Sequence, residues 1–353
     1  MNILVYGAGV LGSLYAARLQ DTGHAVTILA RGARANEIRA HGLVLQEEAT
    51  GRQTVTRVRV VEQLRTDEAY DLILVLVRKN QLAPILPLLA EHRRSPNVLF
   101  MVNNASGPAD LEAVVGRERV LLGFPGAGGT REGHVVRYNI VSGLIQPTTI
   151  GELDGRITTR LQDIATVLAA AGFPVAVSRQ MDAWLKTHVA LVSPIANAIY
   201  AAGGDNYRLA CTRDGLVLIV RAIREGYRVL RARGIPITPF KLHAFEWVPE
   251  PILVAILQRA MNTGWAELVM ARHANSARDE MQQLADEFRT LVRATDVSTP
   301  ALEALYAYLD PSLTPMITGS AQLPLNWRGV WIVLIGILSV LAILCGLNRW
   351  RRS

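Results

Sequence analysis

The sequence predicts an α/β protein in which a Rossmann-type dinucleotide-binding domain is followed by an all-α domain. Short apolar runs alternate with helical stretches over residues 1–178, which is typical of a parallel sheet covered by helices on both faces. A glycine-rich turn joins the first apolar run to the first helix. Residues 179–310 have a helical pattern throughout, without strand signals.

The first predicted unit is a strand, a tight turn and a helix. The apolar run 2–6 is the strand, and the motif Gly-x-Gly-x-x-Gly follows it directly. Its first glycine permits the turn, its second lets the backbone approach a pyrophosphate, and its third lets the helix pack closely. The helix N-terminus offers free N–H groups and a positive dipole end. The predicted cofactor-binding residues here are Gly7, Gly9, Val10, Leu11 and Gly12.

The second predicted strand, 25–30, indicates which dinucleotide binds, because it is closed by Arg31. An NAD site has an acidic residue at this place, which binds the ribose 2′-hydroxyl. A guanidinium suits a 2′-phosphate instead, and Arg34 follows nearby. We therefore expect NADP(H), the alternative being that Arg31 is an ordinary solvated residue.

The rest of the first domain shows the same alternation. Buried strands are predicted at 72–77, 98–102, 120–123 and 174–177, with added antiparallel strands within 135–151 and a helix over 157–171.

The composition excludes several classes of function. Net charge is +7, but the basic residues are spread along the chain, so nucleic-acid binding is not expected. The two cysteines lie far apart and the seven histidines lack metal-ligand spacing, so neither a disulfide nor a metal site is predicted. Of the 37 basic residues only Lys79, Lys186 and Lys241 are lysine, the type that can be tuned to release a proton.

One face of the helix that opens the second domain carries small and polar residues. At 100° per residue, Lys186, Ala190, Ser193 and Asn197 fall within one stripe. Such a stripe is typical of a helix that lines a cleft, so Ser193 and Asn197 are predicted to bind substrate together with Lys186. The alternative is a solvated helix face.

The C-terminal part of the chain predicts a membrane anchor. Residues 311–325 form a proline-containing linker, and residues 326–348 include about 19 uncharged residues, enough to span a bilayer. Tryptophans flank this segment, and 349–353 form a basic tail. We expect a single-pass C-terminal anchor, with the catalytic domains in the cytoplasm because the chain shows no signal peptide.

The chain resembles the ketopantoate reductase (2-dehydropantoate 2-reductase) family, within the 6-phosphogluconate-dehydrogenase-like group. The resemblance covers residues 1–309. It rests on the glycine motif, Leu29–Arg31, the segment 76–81, the asparagine loop 102–107, the Trp-x-Lys of Trp184 and Lys186, and Asp279–Met281 twenty residues before Pro300.

The resemblance implies roles for individual residues. Lys186 corresponds to the general acid, Glu280 to the residue that holds the substrate hydroxyl, and Asn104 to the asparagine beside nicotinamide and substrate. Arg78 stands where the family has a cofactor-binding lysine, unless Lys79 takes that role.

Three polar substrate-binding positions of the family are not kept. Ala190 replaces an asparagine, the segment 192–194 stands in place of a second asparagine, and Leu268 replaces a serine. We therefore expect an NADPH-dependent reductase of a 2-oxo acid or related carbonyl compound, whose substrate has diverged from ketopantoate. The alternative is a non-catalytic, membrane-anchored NADP-binding sensor or scaffold. A homodimer is left open.

Overall fold

A computed structural model describes residues 1–331, and its first half is built on an eight-stranded sheet. The strands of the domain are β1 Asn2–Tyr6, β2 Ala25–Leu29, β3 Leu43–Glu47, β4 Gln53–Thr56, β5 Arg59–Val61, β6 Leu72–Val75, β7 Val98–Met101, β8 Val120–Phe124, β9 Ala127–Glu132, β10 Val135–Ile140, β11 Thr148–Glu152 and β12 Val175–Val177. The order in the large sheet is β12-β11-β8-β7-β6-β1-β2-β5, with every neighbouring pair parallel except β11 with β8.

Helices flank this sheet and then form the second domain. In the first part they are α1 Val10–Asp21, α2 Gly32–His41, α3 Leu86–Glu91, α4 Ala109–Val115 and α5 Thr159–Ala170. In the second they are α6 Met181–Ala201, α7 Asn206–Cys211, α8 Arg213–Ala232, α9 Ala244–Trp247, α10 Glu250–Met261, α11 Gly264–Ala266, α12 Arg272–Ser276, α13 Arg278–Arg293 and α14 Pro300–Tyr306. Short 3₁₀ segments lie at Lys79–Gln81, Ala83–Ile85, Phe240–His243 and Ala307–Leu309, and a π turn at Glu267–Ala271.

These elements confirm the predicted α/β domain followed by a helical region. A second, four-stranded sheet of order β4-β3-β10-β9 was not predicted in full. Its strands β4 and β9 are polar or glycine-rich and only partly buried, so they lack the apolar runs that identify the buried strands. This sheet packs against α1, the helix that follows the glycine loop.

Three buried clusters of apolar side chains stabilise the fold. Two lie on the opposite faces of the large sheet, and the third lies in the helical domain, around α6, α8 and α14. Small residues let α6 and α8 approach closely: a Cβ added to Gly226 of α8 would lie 3.1 Å from the Cβ of Ala190. The stripe that begins at Lys186 thus faces a neighbouring helix.

The predicted membrane anchor is corrected by the structure. Within residues 1–331 no helix combines the length and apolar character needed to cross a bilayer. The longest helix, α6, carries Asp182 and Lys186 and is buried within the protein. The membrane localisation is corrected on this ground, and the predicted transmembrane helix finds no support among the described residues. Most of the segment 326–348, and all of 349–353, lie outside the described residues.

The segment 311–325 lies along the helical domain. The backbone N–H of Met316 donates to the carbonyl of Ala201 (2.8 Å). The carboxylate of Asp214 accepts the N–H groups of Gln322 (3.0 Å) and Leu323 (2.8 Å). These bonds hold the segment against α6 and α8.

Candidate active site

The glycine loop between β1 and α1 has the geometry of a phosphate cradle. Gly7 has φ +112°, and a Cβ there would lie 2.4 Å from the carbonyl oxygen of Leu76. A Cβ on Gly12 would lie 1.8 Å from the carbonyl oxygen of Gly7, whereas one on Gly9 would meet nothing within 4 Å. The first and third glycines are therefore required by packing, and the second faces open space at the start of α1. These residues fit the pyrophosphate of a dinucleotide.

Arg34 supports this loop, a role that the sequence did not indicate. Its Nε donates to the carbonyl of Ala8 (3.1 Å), its Nη2 to Ser13 Oγ (2.8 Å), and its Nη1 pairs with Glu37 (2.5 Å). The guanidinium is therefore occupied by contacts within the protein.

Arg31, by contrast, is exposed at the start of α2, just beyond β2. It forms no ion pair or side-chain hydrogen bond within residues 1–331, so its fork of donors can bind a ligand. Beside it, Glu62 pairs with Arg39 (2.8 Å), and its pKa is lowered by Arg39 and by the N–H of Gly32.

A cleft of about 1590 Å³ runs from the glycine loop to the helical domain. On the sheet side it is lined by the loop itself and by residues that follow β6 and β7. On the helical side its lining includes Trp184, His188, Leu191, Val192, Ile195, Trp265, Val269, Met270, His273 and Glu280. Because the carboxyl ends of parallel strands are where ligands bind in open α/β sheets, this cleft is the candidate active site.

Glu280 joins the two walls of the cleft. It is buried near the start of α13, and its Oε1 accepts the backbone N–H of Lys79 (3.1 Å) and the Nδ2 of Asn103 (3.3 Å). The segments after β6 and β7 are thus tied to the helical domain through one carboxylate. The sequence-predicted Glu280 therefore reaches the cleft.

The asparagine loop presents Asn103 to the cleft, whereas the predicted residue was Asn104. Asn104 is buried, and its Oδ1 accepts from Lys79 Nζ (3.0 Å), Ser106 Oγ (2.9 Å) and the N–H of Gly107 (3.2 Å). Asn103 lines the cleft, and its Oδ1 is buried without a hydrogen-bond partner among the described residues. That orphan acceptor fits an amide N–H donor such as the carboxamide of a nicotinamide. With two adjacent asparagines, the sequence alone does not show which one faces the ligand.

Arg78 and Lys79 are also adjacent residues of which the first lines the cleft and the second does not. Arg78 lines the cleft and lies 3.4 Å from Asp279, whereas the ammonium of Lys79 turns inward to Asn104 and to Glu287 (3.5 Å). Arg78 is therefore the side chain of the pair that a bound ligand can contact.

None of the four residues on the predicted stripe of α6 lines the cleft. Lys186 is buried, with its Nζ bonded to Asp182 and lying beside Gly107. Ser193 and Asn197 are buried 3.4 Å from each other (Oγ to Nδ2), and Ser193 bonds the hydroxyl of Tyr306 on α14. The structure brings Glu280 to the cleft but does not bring Lys186 there. The catalytic role of Lys186 stays a prediction.

The opposite face of α6 lines the cleft, and its polar residue is His188. The imidazole lies between Trp184, parallel at 5.1 Å between ring centroids, and Phe124, at 4.0 Å. Burial lowers the pKa of His188 to about 3, so it is neutral at physiological pH. A second imidazole, His273 of α12, lies close enough for its charge to oppose protonation of His188. No pattern in the sequence indicated either histidine.

The rim of the cleft holds the third lysine. Lys241 donates to the carbonyls of Leu144 (2.7 Å) and Ile145 (2.6 Å), so it connects the helical domain to the turn after β10. Across residues 1–331, no group of histidine, cysteine, aspartate and glutamate side chains is arranged to hold a metal ion.

The first domain matches a known family. Residues 3–155 match the family model described as Ketopantoate reductase PanE/ApbA. Among curated proteins, a 2-dehydropantoate 2-reductase of Listeria monocytogenes serovar 1/2a is 24% identical over 163 residues, which cover 44% of this chain and 55% of that protein. The match therefore spans little more than half the length of that relative.

Solved structures share the fold over most of the chain. The 2-dehydropantoate 2-reductase from Geobacter metallireducens GS-15 has a TM-score of 0.72 at 17% identity and covers 89% of this chain and 100% of that one. D-mandelate dehydrogenase, in a ternary structure with NADH and anilino(oxo)acetate, has a TM-score of 0.71 at 16% identity and covers 88% and 97%.

These findings support the predicted enzyme class, an oxidoreductase similar to 2-dehydropantoate 2-reductase. They support neither the membrane contact nor a homodimer.

Proposed function

We propose that this chain uses NADPH to reduce a 2-oxo acid, or a related carbonyl compound, to the hydroxy compound. The observation that carries the proposal is the continuity of the cleft: it begins at Gly9, passes Asn103 and Glu280, and ends against an apolar wall. Its volume exceeds the roughly 300–1000 Å³ of a site for one drug-sized ligand, so it has room for a dinucleotide and a small substrate.

A bound nicotinamide cofactor supplies the hydride for the carbonyl carbon. The glycine loop binds the pyrophosphate through the N–H groups of α1, and Asn103 meets the nicotinamide with its free Oδ1. Glu280, fixed by Lys79 and Asn103, accepts a hydrogen bond from the hydroxyl that forms. Lys186 is not needed for this arrangement.

The preference for NADPH is assigned to Arg31. A charge-assisted hydrogen bond is worth about 1.5–3 kcal/mol, which corresponds to roughly 10- to 150-fold in affinity. Arg31→Ala should weaken NADPH binding by that factor and leave NADH binding nearly unchanged, measured by calorimetry.

Arg34→Ala is the matched control for this test. Because Arg34 holds the loop through Ala8 and Ser13, its loss should weaken both cofactors alike. Equal losses for the two cofactors in Arg31→Ala would contradict the 2′-phosphate role.

The substrate is inferred to be bulkier or less hydroxylated than ketopantoate. Trp265, Val269 and Met270 line the helical wall, with Phe240 and Leu144 at the rim. Leu268, one of the substitutions noted in the sequence, is buried beside this wall, and Ala190 packs against α8. The likeness in fold to a D-mandelate dehydrogenase bound to anilino(oxo)acetate supports a place for an aryl group.

Cofactor oxidation across a panel of 2-oxo acids tests the function. Acids with phenyl or branched alkyl groups should be reduced with at least tenfold higher kcat/KM than ketopantoate. A kcat/KM for ketopantoate above about 10⁴ M⁻¹s⁻¹ would contradict the inferred substrate class. Absence of NADPH oxidation with every member would contradict the function.

A further inference from the structure

We propose that Arg131, on strand β9 of the four-stranded sheet, binds the pyrophosphate of the dinucleotide at the glycine loop. This contact deepens the reductase function proposed above, on which it rests, because it brings a residue of the second sheet to the cofactor. Two observations carry it: the face of β9 on which Arg131 lies, and the donors that its guanidinium leaves free.

Arg131 lies on the face of the four-stranded sheet that packs against α1. Its partner across the antiparallel pair with β10 is Val136, and Gly129, two residues earlier, pairs with Tyr138. Directly opposed residues of an antiparallel pair project on the same face of the sheet. Val136 and Tyr138 are buried in the same core as the apolar residues of α1. The side chain of Arg131 therefore projects on the side of α1, the helix whose N-terminus follows the glycine loop.

A chain of contacts links Arg131 to the glycine loop. Its Nη1 lies 3.7 Å from the carboxylate of Glu37 on α2, and the same carboxylate pairs with Arg34 at 2.5 Å. Arg34 in turn donates to the carbonyl of Ala8, which stands between the first two glycines of the loop. Only two side chains therefore separate the guanidinium of Arg131 from the loop backbone, and both Arg131 and the loop line the cleft.

The guanidinium of Arg131 keeps its donors and its charge for a ligand. It forms no side-chain hydrogen bond within residues 1–331, and the side chain is 43% exposed. Glu37 is held more closely by Arg34, so one carboxylate faces two guanidinium groups and a positive charge is left over. A guanidinium binds phosphate oxygens through parallel N–H donors, and the N–H groups at the start of α1 face the same anion.

The position of α2 separates Arg131 from Arg31, which is assigned to the 2′-phosphate. Glu37 and Arg39 are two residues apart on α2 and so lie on opposite sides of the helix. Glu37 faces β9 and Arg131, whereas Arg39 pairs with Glu62, beside Arg31. The phosphate group that Arg131 meets is therefore the pyrophosphate, not the 2′-phosphate.

The test compares Arg131→Gln with the wild-type full chain by calorimetric titration. The ligands are NADPH, NADH and ADP-ribose, all of which contain the pyrophosphate. Their Kd values should rise by a common factor of about 5- to 15-fold, between the values of an exposed ion pair and a charge-assisted hydrogen bond. The Kd of adenosine 2′-monophosphate, which has no pyrophosphate, should not change.

Arg137→Gln is the matched control. Arg137 lies on β10 of the same sheet but on the opposite face, where it pairs with Glu48 (2.8 Å) and Glu132 (3.4 Å). Its replacement removes the same charge from the protein, so the cofactor affinities should equal those of wild type. Arg131→Lys is the second variant: it keeps the charge without the fork of donors, and it should lose less affinity than Arg131→Gln.

Salt dependence gives a readout that a change in packing would not move. Ionic strength screens an exposed phosphate–guanidinium pair. The Kd of NADH should therefore rise more steeply with salt in wild type than in Arg131→Gln. Parallel salt dependences, or equal losses of affinity in Arg131→Gln and Arg137→Gln, would overturn the assignment while the reductase function stands.

The remaining outcomes separate this assignment from the proposed function. A loss confined to NADPH would place Arg131 at the 2′-phosphate and overturn the pyrophosphate contact. If wild-type protein binds both cofactors but reduces no 2-oxo acid, the function fails and the affinities alone decide on Arg131. If wild-type protein binds neither cofactor, function and assignment fail together.

Discussion

The two faces of α6 show how the same helix serves packing and chemistry. One face carries Lys186, Ala190, Ser193 and Asn197, which are small or polar, yet it packs against α8 and α14. The other carries Trp184, His188 and Ile195, which are large and mostly apolar, yet it lines the cleft. Polarity therefore did not identify the ligand-facing side: small residues allow helices to approach closely, and a substrate with apolar groups needs an apolar wall.

The largest expected effect is a loss of stability when a larger side chain is introduced on the packed face of α6. Ala190→Leu inserts bulk where Gly226 of α8 leaves no room, so it should lower the free energy of unfolding by about 1–3 kcal/mol. Val192→Leu, on the cleft-lining face, should change it by less than about 0.5 kcal/mol. Urea titration of both variants checks this. Equal losses of unfolding free energy in the two variants would contradict the assignment of one face to packing and the other to the cleft.

A second test uses the neutral state of His188. Its pKa is lowered from 6.5 to about 3 in the folded protein, so the unfolded chain binds more protons between these values. The contribution of His188 to the free energy of unfolding is complete above pH 6.5. Below that pH it falls by about 1.4 kcal/mol for each pH unit.

The control for this test is His188→Phe, which keeps the aromatic stacking and removes the titration. The unfolding free energy of this variant should depend less steeply on pH between 6 and 4 than that of wild type. Parallel curves would show that His188 is protonated in the fold.

The smallest expected effects are on turnover. His188→Phe removes a hydrogen-bonding group from the cleft and should raise KM up to about tenfold, the value of one neutral hydrogen bond. Lys186→Met should reduce kcat by less than about 10²-fold, since Lys186 contacts Asp182 and lies away from the cleft. A loss of 10²–10⁴-fold in Lys186→Met would restore Lys186 as the general acid.

The sequence predicted the cofactor half of the site better than the substrate half. Gly7 and Gly12 are required by local geometry, since the backbone leaves no space for a Cβ, and such local constraints are visible as a motif. Glu280 was found through the family resemblance. The orientation of α6 depends on Gly226, which lies on another helix, and the choice between Asn103 and Asn104 depends on Lys79 and Glu280. These contacts join distant parts of the chain, so no local pattern could reveal them.

The exposed residues at the rim of the cleft affect how the substrate preference of this protein can evolve. The side chains of Leu144, Ile145 and Phe240 are 88%, 56% and 75% exposed, and none supports the hydrophobic core. Substitutions there cost the fold little and leave Asn103 and Glu280 in place. Under the proposed function, single mutations there shift the preferred acid without disturbing the reductive step, and duplicated copies of the gene should diverge first at these three positions.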